Sequence, residues 1–322
     1  MNQTEFEELI DPHLTEIKLY CYRMLGTITD AEDVLQETLL RAWRFIHTYR
    51  GEGTIRSWLY RIASNASFDA LKQKSRKEIQ IPALPEGGAI EPETPLLPQK
   101  ARLEPLPDSW LAVPNPNTET LYELRESISL AFMVAIQILT PNQRAVLILR
   151  DVLGMSTRET AEMLDLSISA VNSALLRARK NLEKEYTIEP LAQNDLTGLL
   201  EAYIQAWEAG DIPKLLELLT TDIAFTMPPA SIWFKGLAKI RALFTSVLFR
   251  QPGMPLWKLL PASANGQLAV GLYLLNPEDG NYHPYAIQVL TCRADKIMET
   301  TNFLYPSLFP LFELPEQIPA SS

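Results

Sequence analysis

The chain has 322 residues, of which 47% are hydrophobic and 21% are charged. This length and composition exclude a disordered or fibrous protein and predict a folded one with two or three domains. No apolar run approaches the roughly 18 residues that a membrane-spanning helix needs, and the acidic first ten residues lack the order of a signal peptide. We therefore expect a cytoplasmic protein that does not bind a membrane.

Charge and cysteine content narrow the class further. The two cysteines, Cys21 and Cys292, lie in no CxxC motif, so we expect no disulfide framework, metal site or cofactor. The net charge of −10 argues against a protein that coats nucleic acid uniformly, but local basic faces remain. The basic clusters consist of Arg56, Arg61, Lys72, Lys74, Arg76 and Lys77, and of Arg177, Arg179 and Lys180.

The pattern along the chain predicts two all-α domains followed by an α+β domain. Residues 1–80 and 121–187 have helical periodicity, and the proline-rich residues 81–120 between them form a linker. We expect Trp110 in this linker to make a contact. The α+β domain covers residues 192–315. Its predicted elements are helices Leu196–Ala209 and Pro213–Leu219, strands Leu268–Leu275 and Tyr285–Cys292, and turns at Asn265-Gly266 and Asp279-Gly280.

A helix is predicted over Asp30–Trp43, begun by a capping box between Thr29 and Glu32. Acidic residues in its first turn also suit the helix dipole, so their charge alone implies no partner. The buried stripe is predicted at helical spacing: Val34, Leu35, Thr38, Leu39, Ala42 and Trp43. The opposite face is left for a partner or for solvent: Asp33, Gln36, Glu37, Leu40, Arg41 and Arg44.

The next predicted helix, Ile55–Leu71, interleaves aromatic with polar and basic side chains before a basic tail. Rings can stack on unpaired bases while cations hold the backbone, which favours single-stranded DNA. Alternatively, Trp58 and Phe68 are ordinary core residues, and for Trp58 alone we favour the core. The residues concerned are Trp58, Tyr60, Arg61, Asn65, Phe68 and Asp69.

Start and stop signals predict a helix-turn-helix motif. Thr140-Pro141 begins a helix that ends near Gly154, and Ser156 begins a second one, to Leu164, through a capping box with Glu159. A three-residue turn, Asp165–Ser167, then leads into a third helix, and so short a turn is typical of DNA-reading motifs. The predicted core side of the third helix is Val171, Ala174, Leu175, Ala178 and Leu182.

The opposite face of the third helix is polar and basic. Short side chains at its start would approach base edges, and the later cations would neutralise phosphates. A helical hairpin whose basic end complements the helix dipole is the alternative, but it leaves the capping and the turn length unexplained. The face consists of Ser169, Asn172, Ser173, Arg177, Arg179 and Lys180.

Two blocks closely resemble the extracytoplasmic function (ECF) subgroup of sigma-70 factors. Asp30-Ala-Glu-Asp-Val-Leu-Gln-Glu-Thr and Ser57-Trp-Leu-Tyr-Arg-Ile-Ala resemble region 2. Leu139-Thr-Pro-Asn-Gln-Arg-Ala-Val-Leu and Ser169-Ala-Val-Asn-Ser-Ala-Leu-Leu-Arg-Ala-Arg resemble region 4. The blocks occur in the order of the subgroup, with no region 3 between them, and cover less than half of the chain.

The resemblance implies a transcription initiation factor that binds core RNA polymerase and promoter DNA and is not itself an enzyme. The segment Val146–Asp151 would lie beside the polymerase β flap, and the third helix of the helix-turn-helix would read the −35 element. The residues implied to dock on the β′ clamp helices are Asp33, Gln36, Glu37, Leu40 and Arg41. Those implied to capture and open the −10 element are Arg56, Trp58, Arg61, Asn65, Asp69 and Lys72.

The α+β domain is similar to the SnoaL-like branch of the NTF2-like fold, a curved sheet wrapped by helices around a cone-shaped pocket. The matching residues include Ala206-Trp-Glu-Ala-Gly-Asp, Phe225-Thr-Met-Pro-Pro and Trp233-Phe-Lys-Gly. In the linker, Leu106-Pro-Asp-Ser-Trp-Leu resembles a motif of factors with such extensions. Because these factors typically lack a conventional anti-sigma partner, the resemblance implies that the tail regulates the sigma domains in cis.

Three roles for the tail stay open. Regulation would use interdomain contacts at Trp110, Phe303 and Tyr305. Catalysis would need a general acid or base, and without a convergent set of titratable groups we expect none; the candidates are His283, Asp222, Tyr285 and Glu299. A sensor would bind a small apolar ligand, although ordinary core is the simpler interpretation of the aromatic residues. Its pocket would be lined by Trp207, Phe225, Trp233 and His283.

Two other classes of protein also contain a helix-turn-helix and are alternatives for the whole chain. A response regulator would need a doubly wound phospho-acceptor domain, whereas residues 1–80 predict helices only. A polymerase-independent helix-turn-helix regulator with a ligand-binding or enzymatic tail remains the alternative. Whether DNA binding requires core polymerase distinguishes it from a sigma factor.

Overall fold

The computed structural model forms two compact units. Within the described segments, the helical unit takes residues 2–74, 103–104, 110–111 and 124–185, and the α+β unit takes residues 105–109 and 196–320. None of the described helices is both long and apolar enough to cross a membrane. The described residues are 2–49, 54–74, 103–111, 124–185, 196–228, 233–249 and 256–320. Most of the predicted proline-rich linker, and Arg76 and Lys77, lie outside them.

The first part of the helical unit is built around a buried helix. Helix α2 (Leu14–Leu25) packs against both α3 (Ile28–Phe45) and α4 (Ile55–Lys74). Its residues from Leu19 to Leu25 are all buried. It ends at Gly26, whose φ of +80° is the left-handed conformation that lets the chain reverse directly into α3. The helices described here are α1 Gln3–Ile10, α2 Leu14–Leu25, α3 Ile28–Phe45 and α4 Ile55–Lys74.

The predicted start of α3 is wrong by two residues. Its N-cap is Thr27, whose hydroxyl accepts a hydrogen bond from the backbone N–H of Asp30. Thr27 has the extended backbone that a cap requires, whereas Thr29 already lies within the helix. Gly26 decides this placement, because α2 ends there and α3 follows at once.

The predicted buried stripe of α3 is wrong at its last residue. Val34, Thr38 and Ala42 are buried, and Leu35 and Leu39 are half-buried. Trp43, however, is 44% exposed. One position beyond Ala42 is a rotation of ~100° around the helix, which turns the Trp43 indole to the edge of the packed face. There it meets the ring of Phe6 from α1 edge-on, with 5.0 Å between the ring centroids.

The second part of the helical unit confirms the helix-turn-helix prediction. Thr140 and Ser156 both form capping boxes, with Gln143 and Glu159. A π-helical turn, Ile148–Val152, extends the first of these helices towards Gly154. Asp165 has a φ of +54° and ends the next helix in the left-handed conformation. The helices are α5 Leu130–Gln137, α6 Pro141–Leu147, α7 Thr157–Leu164 and α8 Ile168–Glu185.

The α+β unit is a mixed sheet with helices on one face. The strands are β1 Leu219–Thr226, β2 Trp233–Lys235, β3 Trp257–Ala264, β4 Gln267–Leu275, β5 Asn281–Arg293, β6 Lys296–Phe303 and β7 Ile318–Pro319. The helices are α9 Thr197–Glu208, α10 Ile212–Glu217 and α11 Leu237–Leu243. The sheet order is β2-β1-β6-β5-β4-β3, and β7 also pairs with β5. Strands β1 and β6 are parallel, whereas the other pairs are antiparallel.

The two faces of this sheet are covered by different segments. The helices supply Tyr203 and Trp207 to the main core. A 3-10 turn, Pro306–Phe312, packs against β5 on the other face, where Phe309 meets the ring of Tyr273. Gly271 makes room for this contact, because a Cβ there would lie 2.6 Å from Leu314 Cδ1 and 3.2 Å from Phe309 Cε1 and these side chains would have to shift.

Candidate nucleic-acid interface

Helix α8 presents its predicted DNA-reading face to solvent. Val171, Ala174, Leu175 and Ala178 are buried, which confirms the predicted core side except at its last residue, Leu182, which is half-buried. Ser167 caps the helix by accepting a hydrogen bond from Ala170 N at 3.1 Å. The exposed residues include all of the predicted set, Ser169, Asn172, Ser173, Arg177, Arg179 and Lys180.

Not every cation on this face is equally available to a ligand. The guanidinium of Arg179 binds both carboxylate oxygens of Asp151, at 2.9 and 2.7 Å. The hydrogen bond to Asp151 raises the pKa of Arg179 and turns its fork towards the π-helical turn. Arg177 and Lys180 form no ion pair with a described residue, so these two are the cations free to meet phosphates.

Helix α4 divides the predicted −10 residues into an exposed and a half-buried set. Arg56 is half-buried, and its Nε donates to Glu16 Oε2 at 2.8 Å. Trp58 is also half-buried and packs against Tyr49, with 5.7 Å between the ring centroids. The exposed set is Arg61, Asn65, Asp69 and Lys72.

Helix α3 carries a mixed polar and apolar surface at the predicted polymerase-binding residues. Asp33, Gln36 and Glu37 are exposed, and Leu40 is 62% exposed although it is apolar. Arg41 joins this surface to α4, because it donates to Glu37 at 2.6 Å and to Asp69 at 3.2 Å.

The helix-turn-helix packs directly on the helix that carries the predicted −10 residues. Helix α7 lies against α4. The pKa of Glu159 in α7 is lowered by hydrogen bonds from Ser156 and, more weakly, by the positive charge of Arg56 in α4. In this arrangement the two predicted DNA-binding elements are neighbours within the helical unit.

Two buried arginines join the two parts of the helical unit reciprocally. Arg23 at the end of α2 donates from Nε to Ser127 O at 3.2 Å and from Nη2 to Ser127 Oγ at 2.8 Å. Arg144 in α6 donates in the other direction, to the carbonyl of Met24. Burial lowers the pKa of both guanidinium groups to about 10, so both remain charged at neutral pH.

Arg144 also binds the end of its neighbouring helix. Its Nε donates to Ile136 O at 2.9 Å, and its Nη2 to Gln137 O at 2.9 Å and Leu139 O at 3.3 Å. The sequence gives a weak signal for this role: Arg144 precedes the buried residues Leu147 and Ile148 by three and four positions, which places it on the buried face of the helix. Its partners depend on the tertiary structure and were missed.

The described part of the linker, residues 103–111, is bound by side chains in each unit. In the helical unit, Glu104 accepts from Ile28 N at 2.8 Å and caps α3 from outside, and Lys18 Nζ lies 3.1 Å from the centroid of Trp110. In the α+β unit, Leu106 and Asp108 bind the β3–β4 turn. The contact predicted for Trp110 is therefore made within the helical unit.

The β3–β4 turn binds the linker through its backbone and one side chain. Asn265 is fully buried; its Oδ1 accepts from Leu106 N, and its own N–H donates to Leu106 O, both at 2.8 Å. Gly266 N donates to Asp108 Oδ1 at 2.8 Å. Asn265 and Gly266 have φ values of +55° and +69°, the conformation of a tight hairpin turn and the one predicted here.

The residues suggested for a ligand pocket do not converge. Trp207 and Phe225 are buried in the main core, where Trp207 packs edge-on against Phe244. His283 lies near the start of β5, where its ring is hydrogen bonded to Asp279 at 2.7 Å. The side chain of Trp233 lies outside the described residues.

The interdomain candidates other than Trp110 lie at the end of the sheet. Phe303 is fully buried at the end of β6, paired with Ile287. Tyr305, two residues on, is half-buried at the start of the Pro306–Phe312 turn.

The catalytic candidates are also spread over the sheet. Glu299 pairs with Thr291, which is eight residues from His283 on β5, or ~26 Å along the strand. Asp222 is paired with Arg293, and Tyr285 packs against Trp257. Burial raises the pKa of Glu299, but none of the other candidates lies beside it to share a proton. Among the described residues, no group of three His, Cys, Asp or Glu is placed to hold a metal ion.

Three family models match consecutive parts of the chain. The model of sigma-70 region 2 matches residues 9–77, that of sigma-70 region 4 matches residues 129–182, and that of the SnoaL-like domain matches residues 200–300. The first two span the described helices α2–α4 and α5–α8, and the third spans most of the mixed sheet. The family models thus divide the chain as its two units and its predicted motifs do.

Similar proteins match over nearly the whole chain. The ECF RNA polymerase sigma factor SigG of Mycobacterium tuberculosis is 38% identical over 98% of this chain and 85% of its own length. SigJ of the same organism is 29% identical over 96% and 93%. The crystal structure of SigJ aligns with a TM-score of 0.60 and 25% identity, covering 98% of this chain and 100% of SigJ. This chain therefore belongs to the ECF sigma factors of RNA polymerase that carry a C-terminal SnoaL-like domain.

Proposed function

We propose that this sigma factor uses three separate helices for its three ligands. The α3 surface of Asp33, Gln36, Glu37, Leu40 and Arg41 binds core RNA polymerase, α4 binds the −10 element, and α8 binds the −35 element. The observation that carries the proposal is the exposed polar face of α8, which keeps two unpaired cations beside short polar side chains. Phosphate contacts from Arg177 and Lys180 would position the helix so that Asn172 and Ser173 meet base edges.

Promoter binding would separate the two parts of the helical unit. The −10 and −35 elements lie about 25 base pairs apart, or ~85 Å of DNA at about 3.4 Å per base pair. Helices α4 and α7 pack directly on each other, so α4 and the helix-turn-helix cannot reach both elements in this arrangement. The junction held by Arg23 and Arg144 must therefore open before both elements are bound.

The SnoaL-like domain would modulate this step in cis, through the linker. Glu104 caps α3 in the helical unit, and four residues later Asp108 binds Gly266 in the α+β unit. A change in how the β3–β4 turn binds Leu106 and Asp108 would be transmitted to Glu104, which is only two and four residues away from them in the chain. Because the described catalytic candidates of this domain do not lie close together, a regulatory role is better supported than an enzymatic one.

The test is in-vitro transcription by core RNA polymerase with the full chain, on a library of promoter DNA. We expect start-site-specific transcripts that depend on the chain. Arg177→Ala should weaken transcription from every promoter in the library, whereas Arg158→Ala, which removes an exposed cation from α7, serves as the matched control. DNA binding that is independent of polymerase, without specific transcripts, would instead support the helix-turn-helix regulator.

The regulatory part of the proposal has its own variant. Asn265→Gly keeps a residue that tolerates positive φ but removes the amide that binds Leu106. We expect an altered transcript yield at an unchanged start site, with Asp279→Ala in the next hairpin as the control. An unchanged yield would remove the cis role of this contact and leave the sigma factor assignment intact.

A further inference from the structure

One apolar side chain lies in the middle of the polar face of α8. Leu176 is 70% exposed, more than any other large apolar residue in the described segments. Single exposed leucines are common on protein surfaces, so this exposure alone carries little weight. Its position is more informative: at 100° per residue, Ser169, Asn172, Ser173 and Lys180 all lie within about 60° of Leu176 around the helix.

The polar side chains next to Leu176 are short or are turned towards other residues. Ser169 Oγ is engaged by Ser167 Oγ at 3.0 Å, and the fork of Arg179 is turned aside by Asp151. Around the helix, Arg177 and Lys180 lie on the same side of Leu176, at about 100° and about 40° from it, so their positive charge suits the phosphates along one edge of a major groove. Positive charge and short polar side chains around one apolar side chain match the chemistry of the backbone and base edges of duplex DNA.

We propose that Leu176 reads sequence by packing against the 5-methyl group of a thymine in the −35 element. Thymine is the base of ordinary DNA that presents an apolar group in the major groove, and aliphatic side chains contact it there. Leu176 would thereby specify one T·A pair, while Asn172 and Ser173 form hydrogen bonds with neighbouring bases. The inference rests on the proposed binding of the −35 element by α8.

The test removes the methyl group from the DNA and the side chain from the protein. Each −35 thymine of a promoter found in the library is replaced in turn by deoxyuridine, and binding by the polymerase holoenzyme is measured. At one position we expect the wild-type chain to bind about fourfold more weakly, the equivalent of ~0.8 kcal/mol for one buried methyl group. Leu176→Ala should bind the thymine and deoxyuridine promoters equally, and Leu176→Met should keep most of the discrimination.

The controls separate failure of this inference from failure of the proposed function. Ile138→Ala removes another exposed aliphatic side chain of the helical unit and should keep full sensitivity to deoxyuridine. Arg177→Ala should weaken binding to every promoter and lower its salt dependence. If Arg177→Ala has this effect but Leu176→Ala still discriminates thymine from deoxyuridine, Leu176 does not read the methyl group. If neither variant changes binding, α8 is not the −35 helix and both proposals fall.

Discussion

The two units bury polar side chains in different ways. The helical unit buries two cations, Arg23 and Arg144, against carbonyl and hydroxyl oxygens, and in its described part neither guanidinium forms an ion pair with a carboxylate. The α+β unit buries a neutral chain instead: Tyr203 Oη donates to Gln288 at 2.7 Å, and Gln288 donates to Asn302 at 2.6 Å. Asn302 completes the chain by donating to Thr226 O at 3.0 Å.

This difference matches the different tasks of the two units. A neutral network in which each donor meets an acceptor costs little to bury, and it specifies one permanent arrangement. A buried guanidinium without a carboxylate keeps much of its desolvation cost, so it gains solvation whenever its surroundings open. The junction of the helical unit is therefore held by groups that water can replace, which suits the opening that we propose for promoter binding.

The largest expected effect comes from removing the cation that makes the most contacts. Arg144→Met leaves the buried carbonyls of Met24, Ile136, Gln137 and Leu139 without this donor. We expect it to lower the free energy of unfolding by about 3 kcal/mol, since a buried acceptor that loses its partner costs ~1 kcal/mol or more; Ile136 O keeps a second donor, Leu139 N at 3.2 Å. Urea unfolding followed by helical circular dichroism measures the loss.

Two related variants sharpen this result. Arg144→Lys keeps the charge but not the planar fork, so its loss should be intermediate. Arg23→Met removes donors to a single residue, Ser127, and should cost less than Arg144→Met. A more stable Arg144→Met protein would contradict the comparison, because it would show that the carbonyls need no cation and that the junction is held by apolar packing alone.

Sequence reasoning succeeded where the structure is set by neighbouring residues. The N-cap at Thr140, the capping box of Ser156 and the Asn265-Gly266 turn depend on side chains and backbone preferences within four positions, and all three were predicted. Thr27 and Thr29 show the limit of this approach, because both are good capping residues and only the end of α2 at Gly26 chooses between them.

The site residues that sequence reasoning missed depend on distant partners. Arg23 and Ser127, and Arg144 and Met24, are joined across more than 100 residues of sequence, and no local pattern signals such a pair. Leu176 was missed for a different reason. Helical spacing leaves this leucine outside the predicted core side, and the opposite face was defined by its polar and basic residues alone, so Leu176 was assigned to neither face.

Alkaline pH offers a second way to probe the helical unit. Cys21 is fully buried, and burial raises the pKa of its thiol from 9.0 to about 12. Because the folded pKa lies above the unfolded one, the stabilising contribution is complete below pH 9 and is lost as the pH rises from 9 to 12. Between pH 8 and 10.5 the wild-type chain should lose about 2 kcal/mol more than Cys21→Ala.

The measurement is the difference in unfolding free energy between these two chains at each pH. The other titrating groups are common to both chains and largely cancel in the difference, although the charge of Cys21 also raises the pKa of the buried Tyr20. Equal pH dependence would mean that the thiol is already solvated in the folded helical unit, and the interior around α2 would then be looser than its burial indicates.

The smallest expected effect concerns the neutral network of the α+β unit. Tyr203→Phe removes the hydroxyl that donates to Gln288 and leaves one amide oxygen of a neutral, otherwise bonded side chain without that donor. A neutral hydrogen bond contributes ~1 kcal/mol, so we expect a loss of about that size in the unfolding free energy. Tyr285→Phe, a half-buried tyrosine of the same sheet, is the matched control and should change it by less than about 0.5 kcal/mol. A loss from Tyr203→Phe as large as that from Arg144→Met would break the comparison, because the neutral network would then depend on a single bond as strongly as the junction depends on its cation.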